Sequence, residues 1–248
     1  MKYLSDRQIE TIKNGELGYA SSTKFMSILD NIKDGITVDI GVYQGQSSSL
    51  MLNKAAANNV QVYGIDPIPC FNSSHPYYNY IKDDSVKIGK EWDKGQIDLA
   101  FFDSVHAKEQ VLCELYYWWD LIKEGGYALF HDTSWLDYVH KPGHHGAGRK
   151  PGNSHKGYDS YGGIDWETPD KAVNEFFGVN LYPADRDINK DEVVIIHEDD
   201  YIKVEHNHGN LGMTFIQKKK NFDYKSLISQ EKWDETFKRR EILLSFFK

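Results

Sequence analysis

The sequence predicts an α/β protein with a doubly wound, mostly parallel sheet of seven strands, and three observations carry that expectation. Short apolar runs recur between residues 36 and 132, segments of helical length separate them, and the runs lack a sustained polar face, as strands covered on both sides do. With 248 residues, 40% of them hydrophobic and 27% charged, the composition argues for one folded domain, 1–248, rather than a disordered chain.

The elements follow in order. Residues 1–35 place Ile9, Ile12, Phe25, Met26, Ile28, Leu29 and Ile32 at helical spacing, with "NGELG" (14–18) between as a break, so they read as two helices. Strands are expected at "ITVDIG" (36–41), "QVYGID" (61–66), "SVKIG" (85–89), "IDLAFFD" (97–103) and "GYALFHD" (126–132), with crossover helices over 46–57 and 107–122. The aromatic run "YYWWD" (116–120) falls inside the second of these helices and reads as packing against the sheet.

Residues 135–164 break the pattern. They are rich in glycine, carry His140, His144, His145 and His155, and hold few aliphatic side chains, which predicts a lid inserted over a site. Beyond them Thr168 and Pro169 open a helix as N-cap and first-turn residue. "DEVVIIHE", "YIKVEH" and "LGMTFIQKK" are further strand candidates, and an amphipathic helix is expected over 225–247.

Charge and cysteine usage narrow the function. A formal charge of −8 argues against nucleic acid or an anionic membrane as partner, because such contacts need clustered Lys and Arg, and the one basic run, Lys218 to Lys220, reads as a solvated strand end. No apolar stretch approaches the roughly 20 residues that span a bilayer, and "MKYLSDRQIE" has no apolar leader, so a cytoplasmic location is the expectation. Cys70 and Cys113 lack metal-type spacing and read as reduced thiols. A homo-oligomer stays open.

In a doubly wound sheet ligands sit at the carboxyl ends of the strands, and those ends are polar here. The first gives Asp39, Gly41 and Gly45 and then a helix opening with three serines. Glycines there let backbone approach a ligand and the helix start offers free N–H groups, although an ordinary glycine turn would look the same. The second ends in Asp66, roughly 20 residues past the glycine turn, where a carboxylate would accept the two hydroxyls of a ribose. The spacing is GxxxG rather than GxGxxG, which fits a pyrophosphate poorly and the phosphate-free S-adenosylmethionine better. The fourth ends in Asp103 with His106 three residues on. That pair suits alkylation of an alcohol, in which a divalent cation acidifies the hydroxyl and an imidazole removes its proton. A helix-opening His106 capped by Asp103 or Ser104 is the competing reading.

"VDIGVYQGQSS", "VYGIDP", "DDS", "IDLAFFDSVHAKEQVLCELYYWWDLIKEGGYALFHDT" and "GMTFIQK" resemble class I S-adenosylmethionine-dependent methyltransferases, within them the metal-dependent sugar and small-molecule O-methyltransferases of macrolide and aminocoumarin biosynthesis. The resemblance spans about residues 36–217 and implies a Rossmann-like methyltransferase fold. It implies a methionine-binding loop at Asp39, Gly41 and Gly45, a ribose acid at Asp66 and an adenine-side pair at Asp84 and Ser85. For the metal, Mg²⁺ or Mn²⁺, it implies Asp103 and the adjacent pair His131 and Asp132, with His106 as general base. His131 stands where the family has a carboxylate, and an imidazole shifts preference away from Mg²⁺ toward Mn²⁺, Fe²⁺ or Zn²⁺. Because neighbouring strand residues point to opposite faces, His131 could instead face the core or support a ligand from behind while Asp132 alone binds. The implied reaction is methyl transfer to a hydroxyl of a sugar or another polar small molecule. A metal-independent methyltransferase and a non-catalytic S-adenosylmethionine-binding module are the alternatives.

Overall fold

The computed structural model describes residues 4–15, 17–71, 73–133, 160–161, 164–182, 190–209 and 211–247. The central sheet has eight strands in the order β3-β2-β1-β4-β5-β10-β9-β8. Five are parallel: β1 (Ile36–Ile40), β2 (Gln61–Ile65), β3 (Tyr78–Ile81), β4 (Ile97–Phe102) and β5 (Ile122–His131). β10 (Met213–Lys218) runs antiparallel to β5, and β9 (Ile202–Asn207) and β8 (Val194–Glu198) continue as antiparallel neighbours. The count of seven is thus corrected to eight, because β8 adds a further edge strand. A separate ribbon pairs β6 (Ser160–Tyr161) with β7 (Ile164–Asp165) at the end of the expected lid. The rest of that segment, with His140, His144, His145 and His155, lies outside the described residues.

Helices cover both faces, and strand alternation assigns the side chains. Phe101 of β4 joins Leu129 and Phe215 on the face covered by α2 (Tyr19–Asn31) and α3 (Gln46–Asn58), where it stacks on Phe25 at 5.5 Å. Its neighbour Phe102 faces the other way, stacks on Phe130 at 4.7 Å, and meets α5 (Lys108–Trp118) and α6 (Pro169–Phe177). Every residue of β4 is buried. At the N-terminus, α1 (Asp6–Lys13) starts on a capping box between Ser5 and Gln8. α6 starts at Thr168 and Pro169, as its sequence requires, and ends on left-handed Gly178. The expected C-terminal helix is a 3₁₀ turn, Tyr224–Leu227, followed by α7 (Gln230–Ser245).

Three further expectations are corrected. Residues 85–89 are not a strand but part of helix α4 (Ser85–Glu91), because the Asp84 carboxylate caps it by accepting from the Lys87 N–H at 3.0 Å, and Gly89 fits beneath Trp118. The third strand is "YNYI", half-buried throughout and without an aliphatic run to reveal it. Lys218 is not solvated: it is 1% exposed, and its ammonium donates to the carbonyls of Trp119 and Ile122 at 3.1 and 2.8 Å. Of "YYWWD", Trp118 and Trp119 pack into the core beneath the sheet as expected, while Tyr116 departs, edge-on against Trp233 of α7 at 4.8 Å.

Candidate active site

The strand order reverses direction between β1 and β4, and the polar strand ends meet at that switch point. Gly41 follows β1 with φ +86°, and a β-carbon on it would lie 2.2 Å from the carbonyl oxygen of Asp103, so only glycine lets the two strand ends pass. Gly45, at φ +76°, begins α3 without a side-chain cap, so the N–H groups of Gln46 and Ser47 face no capping side chain, while that of Ser48 turns to Asp39. Asp39 lies behind this loop, fully buried, and accepts hydrogen bonds from the hydroxyls of Ser47, 2.9 Å from each oxygen, and of Ser48. Burial pushes its carboxyl up to about 7 against the pull of these serines. Its direct partners are therefore the first turn of α3, through two of the three serines at the helix start.

Asp66 ties the second strand end to the same loop. Its two oxygens accept from the backbone N–H groups of Tyr43 and Ile68 at 3.0 and 2.8 Å. A carboxylate has about four acceptor positions, so room for hydroxyl donors remains.

Asp84 and Ser85 sit in a buried polar chain. Arg240 of α7 donates to Asp84 and, at 2.8 Å, to Gln110. The Gln110 amide donates to Ser85 and Glu114, and the hydroxyls of Ser85 and Ser104 each donate to the same Glu114 oxygen at 2.6 Å. Burial raises the pKa of Glu114 despite these donors. Arg240, Gln110 and Glu114 carry no sequence signal that separates them from ordinary helix residues, since the pairing with Asp84 joins distant parts of the chain.

Asp103, His106, His131 and Asp132 converge. His106 places Nε2 3.1 Å from Asp103 Oδ1 and Nδ1 2.5 Å from Asp132 Oδ2. His131 Nδ1 lies 3.2 Å from Asp103 Oδ1 and 3.5 Å from Asp132 Oδ1. Strand alternation should have separated His131 from Asp132, but Asp132 has φ +55°, a left-handed conformation that ends the strand and swings its carboxylate back to the same site. His131 and Asp132 thus both turn a polar atom toward Asp103.

The electrostatics follow from burying four ionisable groups together. Desolvation works against the His106 cation, yet Asp132 and Asp103 outweigh it and push the imidazole up to about 10. The same opposition leaves His131 at about 9. Burial tends to raise Asp103, but His131 and His106 hold it down at about 2. Near neutral pH both imidazoles are thus held as cations beside the Asp103 carboxylate.

Ligand atoms of Asp103, His131 and Asp132 all lie within 4.8 Å of one another. Asp132 Oδ1 and His131 Nε2 are buried with no hydrogen-bond partner among the described residues. Two carboxylates and an imidazole fit a divalent cation that accepts nitrogen as well as oxygen. A cleft opens beside them, lined by Leu17, Tyr43, Gly45, Ser47, Asp103 and His131, so the glycine loop and the charged cluster share one opening.

Residues 38–133 match a family model described as a methyltransferase domain. No curated protein matches the chain in sequence. Among solved structures, the O-methyltransferase TomG of Streptomyces achromogenes, involved in tomaymycin synthesis and solved with SAM, superposes with a TM-score of 0.51 at 13% identity, covering 88% of this chain and 92% of that chain. The SAH-bound methyltransferase PaMTH1 of Podospora anserina gives 0.51 at 16% identity, covering 88% and 89%. A protein of Corynebacterium glutamicum gives 0.50 at 10% identity, covering 88% and 93%. At these identities the likeness establishes a shared fold.

Proposed function

We propose that this chain, whose residues 38–133 match a model described as a methyltransferase domain, moves the methyl group of S-adenosylmethionine to a hydroxyl of a sugar or another polar small molecule. The observation that carries the reading is the meeting of Asp103, His106, His131 and Asp132 in one cluster, of which Asp103 and His131 line the cleft that the glycine loop also lines. The open N–H groups at the start of α3 would receive the cofactor's amino-acid end, and the unused acceptor positions of Asp66 its ribose hydroxyls.

Transfer breaks the bond from sulfonium sulfur to methyl carbon and forms one from the acceptor oxygen to that carbon, so the hydroxyl proton must leave. His106 is its acceptor. Its Nε2, 3.1 Å from Asp103, is held less closely than its Nδ1, which Asp132 fixes at 2.5 Å, so the proton arrives at Nε2. Asp103, His131 and Asp132 would hold a divalent cation, Mg²⁺ or Mn²⁺, which lowers the pKa of a bound hydroxyl and offsets carboxylate charge. Asp103 and Asp132 orient the His106 ring from both sides.

A metal-independent transfer is the second reading, favoured by the fact that His106 and His131 as cations already balance the two carboxylates. Chelation separates the two. Loss of turnover in EDTA with recovery on adding Mg²⁺ or Mn²⁺ is expected, and unchanged turnover would sink the metal-assisted reading. A chain that binds S-adenosylhomocysteine but methylates no member of a panel of sugars and phenols would instead be a binding module.

A further inference from the structure

Asp132 holds a left-handed backbone at 2% exposure. For a residue other than glycine this conformation is strained and persists only where the surroundings fix it. On its N-terminal side β5 does so, ending where His131 pairs with Met213 of β10. On its C-terminal side the restraint is Thr133, fully buried and gripped three ways. Its N–H donates to the Gly212 carbonyl at 3.4 Å, its carbonyl accepts from the Tyr182 hydroxyl, and its hydroxyl accepts from that of Thr214 at 2.9 Å.

Thr214 is itself oriented. His206 Nδ1 lies 2.8 Å from its hydroxyl, and His206 Nε2 lies 3.1 Å from His208 Nδ1, all in buried surroundings. With the Thr214 proton directed at Thr133, His206 must donate from Nδ1 and accept at Nε2, so the chain has one direction, from His208 toward Thr133.

We propose that Thr214 and His206 are positioning residues for the reaction: their hydrogen-bond chain fixes Thr133, and through it the turn that aims the Asp132 carboxylate at His106. The inference rests on the proposed methyl transfer for its kinetic consequence and on geometry alone for its structural one. Without the Thr214 hydroxyl, Thr133 loses its side-chain bond and Asp132 relaxes away from the left-handed region, although neither Thr214 nor His206 touches the cleft.

The test is Thr214→Val, which keeps shape and removes the donor. Its kcat is expected to fall about tenfold to a hundredfold, with S-adenosylhomocysteine affinity by calorimetry within about twofold of the parent, and Thr214→Ser should restore the rate. Its crystal structure should show Asp132 at negative φ or its carboxylate turned from His106. A rate within about twofold of the parent, or a parallel loss of cofactor affinity and thermal stability, would overturn the proposal. If the parent chain transfers no methyl group, the proposed function fails separately, and the crystal structure alone decides: Asp132 unmoved refutes the positioning role. Should Thr214→Val not fold, Thr133→Val removes the same bond from its other end and is read against the same values.

Discussion

His106 Nδ1 lies 2.5 Å from Asp132 Oδ2, and the left-handed turn at Asp132 is what brings them together. This contact makes His106 a cation up to about pH 10, with burial opposing and the two carboxylates prevailing. A base must first lose that proton, which ties the activity to whatever else neutralises the carboxylates.

The first prediction concerns rate against pH. In EDTA any residual transfer should climb as pH rises toward about 10, where His106 deprotonates. With Mn²⁺ or Mg²⁺ present the rise should occur at lower pH, since cation charge on Asp103 and Asp132 removes the stabilisation of the imidazolium. Superimposable profiles with and without metal would contradict this.

His106→Gln keeps a hydrogen-bonding side chain but accepts no proton. Transfer should drop by roughly 10²–10⁴-fold, while S-adenosylhomocysteine binding by calorimetry stays near that of the parent. A variant retaining most of its rate would remove His106 from the mechanism.

Asp39 predicts a stability effect. Its folded carboxyl titrates at about 7 against a free value of 3.8, so the folded state binds more protons between those limits and stability falls as pH rises through that window. Carrying the charge to pH 8 costs the fold up to about 4 kcal/mol. Asp39→Asn should therefore raise the melting temperature at pH 8 and change it little near pH 4. His106 and His131 act in the same sense at higher pH: their raised values stabilise fully below about 6.5, and that contribution is lost as pH rises through 9 to 10. Equal melting temperatures for parent and Asp39→Asn at both pH values would refute the assignment.

Gly41→Ala places a methyl carbon 2.2 Å from the Asp103 carbonyl oxygen at φ +86°. Either strand end must move, with a loss of about 2 kcal/mol or more. Urea unfolding should show the loss, and cofactor affinity should fall with it because the glycine loop shifts. A neutral substitution would mean that the two strand ends are not held this closely.

The alternation of strands and helices, the buried character of β4 and the polar residues at its end were legible from the residues alone, because burial on both faces and a switch to Asp and His are local properties of "IDLAFFDSVH". The sequence also marked the glycine loop and Asp66 through residue type and spacing. It misread "SVKIG" as a strand, since an apolar run of five does not reveal the cap that Asp84 supplies, and the half-polar "YNYI" hid the true edge strand. Only the tertiary structure decided that His131 faces Asp103, because strand periodicity alone leaves its direction open and a single left-handed residue overrides that periodicity. Only it brought Arg240 to Asp84 and Thr214 to Thr133. Those bonds join residues far apart in the chain, where nothing in one segment specifies its partner until the sheet and helices have packed.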